Sequence, residues 1–330
     1  MSGPPTAAPP RLERKRNSYP FIDPQNFRGS LTGQVALITG AGRGIGQAIA
    51  LAFARSGADV VCVSRTKDEV NEVGRQITGL GLGRALGISA DISTDGGMGQ
   101  VIAKTREVFG SINILVNNAG VDRVGSLLHE QDFAAWWHVF EVNMKAPAAL
   151  TRQVLPDMLS RNKGVIIHIG SRNAIYDHPF MTAYSASKTA LLRFHQCLHL
   201  ELDGANVHTF YLQPGDVATS LMEGTFNPAE LQSSSRLRSM VGKMQERMTN
   251  NESDSPHLAA DTCVALAALP EARLLAGMYL DANQNLEQIL DDVRSEKGGM
   301  IQKCGLYKLK GEVWPVRSTQ SISRASNNEA

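Results

Sequence analysis

The sequence predicts a doubly wound parallel α/β sheet, layered helix, sheet, helix, and two observations carry that prediction. Short apolar runs rich in β-branched residues alternate with longer segments whose apolar residues recur at helical spacing. Strands that are apolar on both faces belong to a parallel sheet covered on both sides, and right-handed crossovers wind such a sheet outward from its middle. Ligands bind such sheets beyond the strand C-termini, so the residues that follow each strand are where chemistry is sought.

Residues 1–30 are rich in Pro, Ala and charge and have no period, which predicts a flexible arm. Its RLERKR run (residues 11–16) reads as a solvated stretch before it reads as a nuclear signal or polyanion contact. VALIT (35–39) is the first strand. GQAIALAFARSG from Gly46 places Ile49, Ala50, Phe53 and Ala54 on one helical face and stops at Gly57. DVVCVS (59–64) is a strand, 67–78 a polar helix, ALGISAD (85–91) a strand, 98–110 a helix and INILVNN (112–118) a strand. A long helix over 133–159, broken near Pro147, leads to the strand GVIIHIG (164–170). Then come a helix over 183–202, the strand NVHTFYLQ (206–213), a long polar segment over 222–256, a helix over 257–268 and the strand GMYLDA (277–282). Beyond it Leu286, Ile289, Leu290 and Val293 share one helical face, and the polar chain after Trp314-Pro315 is expected to be disordered. The expected division is an arm over 1–30, one catalytic domain over 31–285, and a C-terminal helix and disordered tail over 286–330.

Composition narrows the function without choosing one. The 330 residues are 42% apolar, which excludes a wholly disordered chain. The net charge of +1 argues against a general polyanion binder, so no nucleic acid partner is expected. No membrane is expected either: the most apolar stretch, LAADTCVALAAL from Leu258, is short, contains Asp261 and reads as a core helix. Cys62, Cys197, Cys263 and Cys304 form no CxxC pair, and the first residues have no secretory apolar segment, so a cytoplasmic location is expected. His195 and His199 stand at i, i+4 but lack a third ligand, so no metal is expected.

After the first strand comes TGAGRGIG, Thr39 to Gly46. Glycines at Gly40, Gly44 and Gly46 allow a tight turn and a close backbone approach to a pyrophosphate, and the following helix offers unpaired N–H groups. The pattern is TGxxxGxG, with Ile45 between the last two glycines. After the second strand a carboxylate often binds the adenosine ribose, but here Ser64 and Arg65 stand there and Arg43 lies in the glycine loop. Two guanidiniums with no opposing carboxylate suit a 2′-phosphate, so NADP(H) is expected over NAD(H).

Tyr184 and Lys188 lie four residues apart at the start of a helix, on one face. A nearby ammonium is expected to lower the phenol toward working pH, which suits proton transfer at a carbonyl or alcohol oxygen. Such a pair is common by chance, yet of the six tyrosines only Tyr184 has Lys at i+4. Ser171, thirteen residues earlier, ends a strand on the same sheet edge and offers a hydroxyl to the same oxygen. Asn117 to Gly120 end another strand, Asn143 lies in the next helix, and Pro214 to Thr219 follow a third strand.

With these motifs in this order across about residues 31–219, the chain resembles the short-chain dehydrogenase/reductase family, of the shorter single-domain type with a Rossmann-like fold. The resemblance implies that Tyr184 is the general acid/base, that Lys188 tunes it and holds the nicotinamide ribose, that Ser171 orients the reacting oxygen, and that Asn143 positions a water relaying protons toward Lys188. It also implies Asp91 and Ile92 by the adenine, Asn118, Ala119 and Gly120 by the adenosine-side ribose, and Pro214, Gly215, Val217 and Thr219 by the nicotinamide carboxamide. A homo-dimer or homo-tetramer is implied, with His195 and His199 at a subunit contact. Two departures stand out: Gly170-Ser171 where the family often has Ser-Ser, and GMYLDANQ where the last strand usually ends Asp-Gly-Gly.

The segment 222–256 is where the family carries its substrate lid. Met240, Met244 and Met248 form a stripe there that serves a ligand or ordinary packing equally well. Val121, Asp122, Arg123, Arg172 and Asn173 are expected around the mouth, for a polar substrate or as rim charges. Trp136 and Trp137 read as core. The expected function is an NADP(H)-dependent oxidoreductase interconverting a small-molecule carbonyl and alcohol. The alternatives are a non-catalytic dinucleotide-binding or scaffold protein on the same fold, which should have lost Tyr184, Lys188 or Ser171, and an NAD-dependent alcohol dehydrogenase.

Overall fold

A computed structural model describes residues 12–81, 83–218, 226, 228–250, 253–295, 299–301 and 307. Seven strands form one sheet in the order β3-β2-β1-β4-β5-β6-β7, every neighbouring pair parallel. They are β1 Val35–Thr39, β2 Asp59–Ser64, β3 Ala85–Ser89, β4 Ile114–Asn117, β5 Gly164–Ile169, β6 Val207–Gln213 and β7 Tyr279–Asp281. All residues of β1 and β4 are buried because these strands lie mid-sheet with helices on both faces. The strand order reverses between them, so a crevice opens beyond their C-terminal ends.

On one face, α1 (Gly44–Arg55), α2 (Lys67–Leu80) and α9 (Pro256–Ala268) bury Phe53, Val73 and Leu258 against β1 and β2. On the other, α3 (Asp95–Phe109), α5 (Ala146–Ser160) and α6 (Thr182–Glu201) bury Val101, Leu150 and Leu198. The polar helix α2 shows the local logic. Asp68 and Glu69 favour its positive N-terminus, Val70, Val73 and Ile77 form its buried stripe, and Gly81 ends it in the left-handed conformation.

The long helix expected over 133–159 is interrupted close to Pro147, as expected, although its backbone stays in the helical region on both sides of the interruption. The break is a π turn, Glu141–Lys145, between α4 (Phe133–Phe140) and α5, and it carries Asn143. Trp136 and Trp137 are not core: they stack with Phe133 and Phe140 on the outside of α4, and Trp137 is 52% exposed. The polar segment expected over 222–256 holds two helices, α7 (Pro228–Ser233) and α8 (Ser235–Thr249).

The expected flexible arm is fastened along its described part, residues 12–30. Pro20–Ile22 and Pro24–Phe27 are short 3-10 turns, and Tyr19, Ile22 and Phe27 are buried in the main core. Lys15 donates its N–H to the Asn283 carbonyl at 2.6 Å and accepts from the Asn283 side chain at 2.8 Å. Tyr19 accepts from the Leu286 N–H at 2.7 Å. Three apolar side chains spaced among prolines suffice to dock a segment whose composition looks unstructured. At the other end, α10 (Leu286–Arg294) buries the four predicted residues Leu286, Ile289, Leu290 and Val293. The chain after Trp314 lies outside the described residues. Among those described, no helix is long and apolar enough to cross a membrane.

Candidate active site

The glycine loop is clamped from β4. Thr39 Oγ1 accepts from the N–H groups of Asn118 (3.0 Å) and Ala119 (3.1 Å), and the Asn118 amide donates to the carbonyls of Thr39 (2.9 Å) and Gly40 (3.1 Å). A Cβ at Gly46 would overlap the Gly40 carbonyl oxygen, so only glycine lets α1 start this close to the loop. The N-terminus of α1 therefore opens on the crevice with its unpaired N–H groups forward.

The crevice is a cavity of about 1160 Å³. It joins the glycine loop (Gly40, Arg43, Gly44, Ile45, Gly46) to Ser64, Arg65, Asp91 and Ile92, then Asn118, Ala119 and Gly120, then Ser171, Tyr184, Lys188, Pro214, Gly215 and Val217. Of the residues predicted for the site, Asn143 stands behind the wall and Thr219 lies outside the described residues.

At the adenosine-side end the structure corrects one expectation. A carboxylate does stand beside one of the two arginines, Arg43. Glu69, on the first turn of α2, accepts from Ser64 Oγ at 3.3 Å and lies 3.9 Å from Arg43 Nε. It was missed because the rule for reading ribose contacts looks only at the strand end, whereas the helix start folds back over the loop. Asp91 accepts from the N–H and hydroxyl of Ser93, and those bonds hold its carboxyl below the usual range despite partial burial.

At the opposite end, Ser171 follows β5. Its Oγ accepts from the Asn173 N–H at 3.1 Å and lies beside the buried Tyr184 phenol. Burial pushes that phenol up to about 12, against the downward pull of the neighbouring Ser171 hydroxyl. The expected lowering by Lys188 is therefore not present in the protein alone. Lys188 Nζ is 5.7 Å from the Tyr184 ring centre, donates to the Ile169 carbonyl at 2.9 Å, and is itself pushed down to about 8 by burial. Desolvation outweighs a charge held at that distance.

Asn143 is fully buried, and its amide is spent on structure. It accepts from the Val121 N–H (2.9 Å) and donates to the Val121 carbonyl (2.8 Å) and Ser187 Oγ (3.1 Å). The π turn aims it inward, where it pins the chain just after Gly120. His195 is also fully buried, bonded to Thr209 Oγ1 at 2.9 Å and pushed down to about 3 by burial, so it does not stand at a subunit surface.

Of the expected mouth residues, Val121, Asp122, Arg172 and Asn173 line the cavity, while Arg123 is engaged by Glu130 at 2.6 Å. Met240 lines it too; the side chains of Met244 and Met248 lie outside the described set. Arg172 does more than line: it reaches Asp216 (2.9 Å), Asp281 (3.3 Å) and Asn283 (2.6 Å). The Pro214-Gly215 turn is held by Gln213, whose side chain accepts from the Gly215 N–H, and by Asp254, which accepts from the Asp216 N–H at 2.7 Å. Thr39 and Gln213, the last residues of two strands, were findable from position alone. Asp254 had no sequence signal.

With that geometry in place, comparison with known proteins is decisive. The family model described as short chain dehydrogenase matches residues 34–230. The chain belongs to the short-chain dehydrogenase family. It is 37% identical to a short chain dehydrogenase of Pseudocercospora fijiensis over 88% of this chain and 93% of that protein. Among solved structures, an NAD(P) dependent protein from Beutenbergia cavernae, with NADP bound at low occupancy, superposes with a TM-score of 0.65 at 30% identity. That match covers 78% of this chain and 97% of the other. A 7 alpha-hydroxysteroid dehydrogenase complexed with NADH and 7-oxo glycochenodeoxycholic acid superposes with a TM-score of 0.67 at 27% identity, over 82% of this chain and 100% of that one. Membership makes the protein an oxidoreductase of the Rossmann-like type, and both cofactor forms occur among these short-chain dehydrogenase neighbours.

Proposed function

We propose that the protein interconverts a small-molecule carbonyl and its alcohol, using NADP(H), with Tyr184 as general acid/base. The observation that carries the proposal is the pairing of Ser171 with the Tyr184 phenol at one end of a cavity whose other end is a glycine loop at a helix N-terminus. A dinucleotide fits that shape. Gly40 to Gly46 and the start of α1 would hold its pyrophosphate, Asp91 and Ile92 its adenine, and Lys188 its nicotinamide ribose. When bound, the cofactor supplies or accepts a hydride.

The rest of the chemistry belongs to the chain. A phenol at about 12 keeps its proton at neutral pH, so Tyr184 is ready to donate to an oxygen gaining negative charge, which favours the reductive direction. Ser171 Oγ shares that oxygen and limits where it sits. Lys188, at about 8, changes protonation close to working pH and can return a proton to the site. Asn143 acts through Val121 as a positioning residue.

Support for NADP(H) comes from Arg43 and Arg65, both exposed at the adenosine-side end, and from the NADP in the Beutenbergia cavernae structure. A second reading, NAD(H), is favoured by Glu69, which accepts from Ser64 Oγ at the same end of the cleft and would accept from a ribose hydroxyl bound there. Fluorescence titration with NADPH and NADH separates the two; tighter NADH binding would reverse the choice. A homo-oligomer, dimer or tetramer, belongs to the same proposal and is supported by the exposed Phe133 and Trp137 on α4. Sedimentation of the full chain tests it, with a monomer as the contrary result.

A further inference from the structure

The departure Gly170-Ser171 has a partner across the sheet. Tyr211 of β6 is fully buried, and in the sheet register it stands opposite His168 of β5. Its ring fills the space that a side chain at residue 170 would need: a Cβ at Gly170 would overlap the ring carbons Cε1 and Cζ. The ring is backed by Tyr279 of β7, stacked at 5.6 Å. Its hydroxyl accepts from the Ser171 N–H at 3.1 Å and donates to the Lys188 carbonyl at 3.2 Å, with the Ser171 carbonyl a longer alternative at 3.5 Å. One phenol thus ties the backbone of Ser171, on the loop after β5, to the backbone of Lys188, on α6. These two segments carry every group that the proposed mechanism places around the reacting oxygen. Among the described residues no other hydrogen bond joins the Ser171 and Lys188 backbones; the remaining links between the segments, Lys188 Nζ to the Ile169 carbonyl, Asn173 to Ser185 and Thr189 to the Ala174 carbonyl, are made by side chains of other residues or by the lysine amine.

We propose that Tyr211 is a positioning residue of the active site: it sets the spacing between Ser171 and the Tyr184/Lys188 helix, with Gly170 as the steric vacancy that admits its ring. The proposal rests on the reading of Ser171 and Tyr184 given above. Burial holds the Tyr211 phenol protonated well beyond working pH, so it donates and accepts at once and takes no part in proton transfer. A hydroxyl with two fixed partners holds two backbones at one separation. Replacing it by a hydrogen leaves the Ser171 N–H without its acceptor and the Ser171 hydroxyl less well aimed at Tyr184.

Tyr211→Phe is the test, made in the full chain with NADPH and phenanthrenequinone as the carbonyl probe. The ring and its stacking on Tyr279 are kept, so NADPH affinity should stay within about twofold and the quinone KM within about threefold, while kcat falls about tenfold, the factor one lost hydrogen bond is worth. The pH limb of kcat governed by Tyr184 should also move upward, because a looser Ser171 stabilises the phenolate less. A residue that only fills space would lower the melting temperature and leave the kcat-against-KM split and the pH limb where they are; that result overturns the proposal. Should Tyr211→Phe fail to fold, Gly170→Ala keeps the hydroxyl and displaces the ring. It should lose kcat in the same way, and the double variant with Tyr211→Ala should lose less than the product of the two single losses, because both act on one contact. A full-strength Gly170→Ala enzyme, or strictly additive losses, overturns the pairing. Should the wild type leave the quinone unreduced, hydrogen exchange of the Ser171 amide with NADPH bound decides: faster exchange in Tyr211→Phe at unchanged global stability supports the tether, and unchanged exchange overturns it. Tyr184→Phe run alongside separates the two levels. If it keeps full turnover, the active-site reading falls and takes the tether with it. If it is inactive while Tyr211→Phe is unaltered, only the tether falls.

Discussion

The Arg43 end of the cleft and the Tyr184 end are built to different tolerances. At the first, Arg43 is mostly exposed, 3.9 Å from Glu69, and Glu69 shares Ser64 Oγ at 3.3 Å. These are contacts between the glycine loop and the neighbouring β2–α2 unit, wet and adjustable. At the second, Arg172 is held by Asp216, Asp281 and Asn283, Asn283 is held by Lys15, and Leu286 is held by Tyr19. Both ends of the described chain therefore brace the wall beside Ser171. The lesson is that the Arg43 end can rearrange at little cost, whereas the wall beside Ser171 is fixed by segments far apart in sequence and its geometry depends on all of them.

The sharpest test of that contrast is Tyr184→Phe. Turnover should fall by about 10²–10⁴-fold, the range for losing a general acid, while NADPH titration gives an unchanged dissociation constant; retained turnover would sink the mechanism. Next in size is Ile22→Ala. This fully buried side chain of the docked N-terminal segment should cost about 2–5 kcal/mol in urea unfolding, whereas a truly flexible arm would cost nothing.

A pH experiment probes the buried amine. Lys188 has a folded value of about 8, below the ordinary lysine value of about 10.4. The unfolded chain therefore binds more protons between those values, and this residue's contribution to stability rises with pH across that window. The denaturation midpoint of Lys188→Met, compared with wild type from pH 7 to about pH 10.5, should lack that rise. Equal slopes would show that the amine is not desolvated. The smallest effect is expected at the adjustable end: Glu69→Gln should tighten NADPH binding several-fold relative to NADH, because it frees Arg43 and removes a charge facing the 2′-phosphate. A swing toward NADH would mean that Glu69 does not face the ribose.

Much of the site was legible because its residues sit where a parallel sheet must put them. Gly40, Asn118, Ser171 and Pro214 each follow a strand, and once the strands are read their convergence is settled by topology. Tyr184 and Lys188 were legible as an i, i+4 pair on one helix face. Glu69, Asp254 and Tyr211 were not. Glu69 acts from a helix turn that leans over the loop, Asp254 from a segment with no motif, and Tyr211 through a hydroxyl whose partners lie 40 and 23 residues away. Residues 12–30, the described part of the arm, were misread because composition averages over a stretch, and docking needs only a few apolar side chains with somewhere to go.

What the sequence determined by itself is local: strand and helix order, the glycine turn, and the side chains presented at the sheet's C-terminal edge, all of which depend on period and chain direction. The balance of charge and burial within the cleft was decided only by tertiary structure. A phenol held near 12 beside a lysine near 8, and a carboxylate beside Arg43, depend on how the packed neighbours fold together and how much water they exclude, and no spacing along the chain encodes that.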